Sequence, residues 1–201
     1  MIAVIDYGVG NLFSVEKALL QFSQDVIVTG KREIIEAAEK LVLPGVGDFG
    51  ECMSNLEATG LIPVIKQKIA AGTPLLGICI GEQILFEGSE ESPGAAGLGI
   101  FKGMVRHIRA DGLKVPHMGW NSVSFSQPRH PLLKNLDEHP YFYFVHSYHC
   151  VPEDKELIIA AAEYGEKLTA AVAKDNVMAT QFHPEKSGDV GLQVLKNFVE
   201  L

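Results

Sequence analysis

Apolar residues fall along this chain in two textures. In the first part, short unbroken apolar runs alternate with stretches where apolar residues recur at helical spacing. Ile2 to Ile5, Val26 to Val28, Lys40 to Leu43 and Pro74 to Ile78 read as buried strands. Between them, Leu12, Val15, Leu19 and Leu20 mark a helix, and Ile34, Ile35 and Ala38 are the buried stripe of another over 31–40. One or two more helices fit 49–71, with a break near Gly60, and a further helix runs from the end of the fourth strand through Phe86. Strands that alternate with helices predict an α/β fold, an open and mostly parallel central sheet flanked by helices.

From Glu87 to Gly103 the chain is rich in Gly, Ser and Glu and reads as a surface loop. Beyond it come additional short β-strands in the C-terminal half: 104–108, 122–125, 141–145, 157–161, 169–173 and 177–182. Residues 130–136 form a short helix or turn, and Leu192, Leu195, Phe198 and Val199 place a closing helix over 188–201. No linker or repeat divides the sequence, so residues 1–201 are expected to form a single domain.

Composition narrows the functional classes. With 47% hydrophobic and 21% charged residues the chain has the balance of a folded globule. A formal charge of −8 argues against nucleic acid as a partner. The segment Met1 to Asp6 lacks the basic start of a signal peptide, and no apolar stretch reaches the roughly 18 residues of a membrane span. The three cysteines are far apart and match no metal-ligand spacing, so the expectation is a reduced, cytoplasmic protein without metal or cofactor.

Chemistry gathers at Gly77-Ile78-Cys79-Ile80-Gly81, where a strand ends in a cysteine flanked by glycines and turns into a helix. That is the outline of a nucleophile elbow, with the first free N–H groups of the helix beneath the sulfur to favour a thiolate. A nucleophile needs a base, and the base needs an orienter. Of seven histidines, His183 follows a strand pattern and precedes Pro184-Glu185. Proline holds His183 extended, so His183 and Glu185 project to one face. Pro44-Gly45-Val46-Gly47 offers backbone donors for a developing oxyanion. Gly8-Val9-Gly10 lacks the third glycine of a dinucleotide fingerprint, since position 13 is Phe13, and reads as a turn feeding a helix. The three pieces together describe a cysteine hydrolase acting on an amide or ester.

These residues resemble the class I (triad-type, flavodoxin-like) glutamine amidotransferases: Gly77 to Gln83, His183-Pro184-Glu185 and the Pro44 loop carry the likeness. Asp6-Tyr7-Gly8-Val9-Gly10-Asn11, Pro116-His117-Met118-Gly119-Trp120-Asn121 and Tyr143 to Tyr148 narrow it to the glutaminase subunits of imidazole glycerol phosphate synthases. The resemblance implies that Cys79 attacks the side-chain amide of glutamine while His183, oriented by Glu185, protonates the departing ammonia. It implies oxyanion donors at Val46, Gly47 and Ile80, and glutamine contacts at Gly47, Gln83, Ser147 and Tyr148. It also implies a heterodimer with a (β/α)8-barrel cyclase subunit, touched by Asn11, Ser14, Trp120 and Lys186, in histidine biosynthesis. A subunit serving another synthase, such as one using chorismate, and a stand-alone cysteine hydrolase are the alternatives.

The elbow departs from the family at Gly81-Glu82-Gln83, where relatives usually carry Gly-Met-Gln. A carboxylate beside a thiolate opposes it, so Glu82 is expected to point away from Cys79, toward solvent or a cationic partner.

Overall fold

The computed structural model describes residues 1–201. The first half runs β1 (Ile2–Ile5), α1 (Leu12–Leu19), β2 (Val26–Thr29), α2 (Arg32–Ala37), β3 (Lys40–Gly45), α3 (Phe49–Thr59), α4 (Ile62–Ala70), β4 (Leu75–Cys79) and α5 (Ile80–Gln83). The second half holds β5 (Gly88–Ser89), β6 (Gly103–His107), β7 (His117–Phe125), β8 (Tyr141–His146), β9 (Tyr148–Pro152), β10 (Ile158–Glu163), β11 (Lys167–Lys174), β12 (Val177–Thr180) and α6 (Gly188–Glu200).

Nine strands make one sheet in the order β2-β1-β3-β4-β12-β11-β10-β7-β8. From β2 to β12 the neighbours are parallel; from β12 outward they are antiparallel. β5, β6 and β9 form a second, small sheet. β1 and β4 carry only apolar residues, glycine and cysteine and are buried at every position, because helices cover both faces of the parallel part. α1 turns Val15, Ala18 and Leu19 inward. α3 begins at Asp48, whose side chain accepts from the Glu51 N–H at 3.0 Å, and ends at Gly60 in the left-handed conformation. No helix is long and apolar enough to cross a membrane.

Three expectations need correction. The helix after Cys79 stops at Gln83 instead of reaching Phe86. The carbonyls of Ile84 and Phe86 accept from Leu98 and Gly99, so the segment that follows takes the bonds a longer helix would have used. For the same reason 87–103 is only partly a surface loop: Leu98 and Phe101 are buried, and the Phe101 ring meets Phe86 at 5.5 Å. α2 covers only Arg32–Ala37, because Ala38 leaves the helix in extended backbone and Lys40 already belongs to β3.

Candidate active site

Cys79 is the last residue of β4, and it stands there in a conformation that side chains avoid, with φ 57° and ψ −112°. The sheet imposes that turn. A Cβ on Gly81 would overlap the Leu43 carbonyl of β3, and one on Gly77 would sit 2.6 Å from the Gly81 oxygen. The two glycines let α5 fold back over the ends of β3 and β4 and leave the sulfur at the tip. α5 is a single turn, so it contributes a few free N–H groups, Ile80 the first of them, and little macrodipole.

β12 pairs in parallel with β4, Thr180 beside Ile78, so the residues leaving β12 emerge next to the elbow. His183 is buried there, and its Nδ1 lies 2.8 Å from Glu185 Oε1. Burial alone would make the ring less basic; its contacts with Cys79 and Glu185 prevail and raise its pKa to about 10. The ring therefore keeps its second proton at neutral pH. Gln181, two residues before His183, is fully buried and turns its Nε2 to Cys79 Sγ at 3.7 Å.

A cleft of about 670 Å³ opens over these groups at the carboxyl ends of the parallel strands. Its wall includes Val46, Gly47, Cys79, Ile80, Gln83, Ser147, Tyr148 and His183. Glu185 lies behind His183 and does not reach the wall. The N–H groups of Val46 and Gly47 donate to no protein acceptor. Val46 turns its carbonyl toward the Cys52 thiol, at 3.4 Å. Gln83 Nε2 donates to the Tyr148 carbonyl at 3.1 Å and to Gln181 Oε1 at 2.9 Å. Of the four residues singled out for a partner, Asn11 and Lys186 reach the cleft rim. Ser14 is half-buried on α1 outside it. Trp120, 56% exposed, stands with Met118 on the open side of β7.

Gln181 is an additional site residue beyond those expected from the sequence. It shares the period-two face of His183, a signal that was present in Gln181-Phe182-His183.

The surroundings of Glu82 are not the expected ones. It faces neither solvent nor a cation: it is fully buried and neither oxygen makes a well-formed hydrogen bond. Its polar neighbour is the buried Cys150 thiol, and burial pushes the carboxyl well above the usual carboxylate range. Above about pH 4.5 the unfolded chain carries a carboxylate here, while burial favours the neutral acid in the fold. Between the ordinary and the raised pKa the folded state binds the extra proton, so stability falls as pH rises above about 4.5, by up to about 1.4 kcal/mol per pH unit. Glu82→Met removes this loss. Its melting temperature is expected to exceed that of the wild type at pH 8 and to approach it at pH 4.5; an equal difference at both pH values would exclude the neutral acid.

The glutamine amidotransferase class-I family profile matches residues 3–201. The chain belongs to that family. A class-I glutamine amidotransferase fold also emerges from solved structures: one described as a glutamine amidotransferase superposes with a TM-score of 0.77 at 18% identity, over 100% of this chain and 98% of the other. Among curated relatives, the imidazole glycerol phosphate synthase subunit HisH of Acinetobacter baylyi is 49% identical over 99% of this chain and 97% of its own. The protein of the same name from Methanothermobacter thermautotrophicus is 50% identical over 100% of this chain and 98% of its own.

Proposed function

We propose that this amidotransferase hydrolyses glutamine through a thioester on Cys79 and hands the ammonia to a separate cyclase subunit, a (β/α)8 barrel, that makes imidazole glycerol phosphate. The observation that carries the reading is the line Cys79–His183–Glu185 at the ends of β4 and β12, opening into a cleft. The imidazolium stabilises negative charge on the sulfur, and sulfur attacks the amide carbon. His183 gives its proton to the leaving ammonia, then takes one from the water that releases glutamate. The unbonded N–H groups of Val46 and Gly47, with that of Ile80, supply donors to the oxyanion. Gln83, Ser147 and Tyr148 hold the glutamine, and Asn11, Ser14, Trp120 and Lys186 belong to the surface that meets the cyclase. The 49–50% identity to subunits named for that synthase supports this partner over one that serves a different acceptor.

The test is glutamine hydrolysis by the chain alone and with the cyclase subunit and its ribotide ligand. Hydrolysis is expected to rise at least about tenfold in the complex, and a diazoketone analogue of glutamine is expected to label Cys79. Full activity without the partner would remove the coupled reading, and labelling elsewhere would remove the thioester.

A further inference from the structure

Two buried histidines take no part in the mechanism above. His117 Nδ1 lies 2.8 Å from His146 Nε2, and both rings are nearly inaccessible. The groups around them fix which nitrogen carries each proton. Asn121 Nδ2 donates to the Glu163 carbonyl at 2.9 Å and approaches His117 Nε2 at 3.1 Å, so His117 Nε2 accepts. His117 must then hold its proton on Nδ1 and donate it to His146 Nε2. His146 Nδ1 lies 2.8 Å from the Tyr148 carbonyl, which can only accept, so His146 also carries its proton on Nδ1. Burial keeps both rings neutral, with pKa values lowered to about 4 for His117 and about 3 for His146.

The Tyr148 carbonyl takes a second donor, Gln83 Nε2, which fills its remaining lone pair. Gln83 also donates to Gln181 Oε1, and that leaves the Gln181 amide turned with Nε2 toward Cys79 Sγ. The Tyr148 carbonyl, which can only accept, sets the Gln83 amide, and Gln83 sets that of Gln181; the two histidines hold that carbonyl in its place. The series begins on β7, the strand that presents Met118 and Trp120 on its other face.

We propose that His117 and His146 are positioning residues for the nucleophile: through the Tyr148 carbonyl and the amides of Gln83 and Gln181, they fix the donor that faces Cys79 Sγ. The inference rests on Cys79 as the nucleophile of the proposed reaction. Without the His117 donor, His146 keeps its proton on Nδ1 but loses the bond that anchors its ring at Nε2; the ring is then free to tilt, the Tyr148 carbonyl is held less firmly, and so are Gln83 and Gln181. A docked protein that shifts β7 acts on the first link of the same series.

Two substitutions separate positioning from packing. The His117 ring packs between Phe144 and Tyr164, at 4.8 and 4.2 Å between centroids. His117→Phe keeps that packing and removes the donor; His117→Asn loses the packing and puts an amide N–H near the place of Nδ1–H. Assayed with the cyclase subunit present, His117→Phe is expected to lower kcat about tenfold with KM within about threefold, and His117→Asn to retain kcat within about threefold. The reverse order would assign the ring to packing and overturn the proposal. A wild type that hydrolyses no glutamine in the complex would instead overturn the reaction on which it rests. Independently of activity, long-range ¹H–¹⁵N spectra of the wild type at pH 7.5 are expected to show both rings neutral and protonated at Nδ1. An Nε2–H proton on either ring would break the series and refute the proposal.

Discussion

Glu185→Gln is expected to lower kcat for glutamine hydrolysis about a thousandfold or more while leaving the fold intact, in line with the loss when a triad carboxylate becomes an amide. The carboxylate oxygen sits 2.8 Å from His183 Nδ1, and both side chains are almost fully buried. A glutamine amide in that place can present its N–H group to Nδ1, and the imidazole must then put its only proton on Nε2, where the base should accept. The substitution also removes one of the contacts that raise His183, so the ring gives up its second proton at lower pH. The alkaline limb of the kcat profile, where His183 can no longer protonate ammonia, should therefore move to lower pH. Steady-state kinetics across pH, with thermal unfolding as a control for folding, read both effects. A loss of less than about tenfold would remove Glu185 as the orienter.

Gly81→Ala is expected to destabilise the protein by about 3 kcal/mol or more, a drop of roughly 6–12 °C in melting temperature for a chain of this size. The new methyl meets the Leu43 carbonyl, a backbone group locked in the sheet between β1 and β4, so relief requires moving β3 or α5. Gly60→Ala is the matching control. Gly60 has positive φ but open space around a Cβ, so only the left-handed backbone penalty of about 1–2 kcal/mol applies. Thermal unfolding of the two variants separates overlap from conformational strain. Equal losses would mean that the elbow tolerates a side chain at Gly81 and that close approach does not shape it.

The parallel half of the fold was legible because β1, β3 and β4 are buried on both faces, which writes itself as unbroken apolar runs. The antiparallel half was less so. β7 has nine residues, yet its first five, His117 to Asn121, carry polar and glycine positions with no simple alternation, and only its end was foreseen. β9 was missed because His149 is buried by a neighbouring strand, a fact that its own sequence does not contain. The residues of the proposed triad, Cys79, His183 and Glu185, lie within short local motifs. The face that Gln181 shares with His183 is local too, but its bond to Gln83, 98 positions away, is not, and neither is the pairing of His117 with His146 across 29 positions. The burial of Glu82 is illegible in the sequence for the same cause. Nothing near it in sequence announces that Cys150 of β9 closes over its carboxyl group.

β12 is the last strand in the chain, yet it lies between β4 and β11, inside the sheet. β4, the strand that ends in Cys79, therefore keeps one bare edge until almost all of the protein has been synthesised, and joining it to β12 closes a loop of about a hundred residues, an entropic cost that slows late assembly. A growing chain released before Val177 carries Cys79 without His183 beside it and exposes an apolar strand edge to other chains. The position of β12 thus leaves the proposed line of Cys79, His183 and Glu185 unassembled until the end of translation.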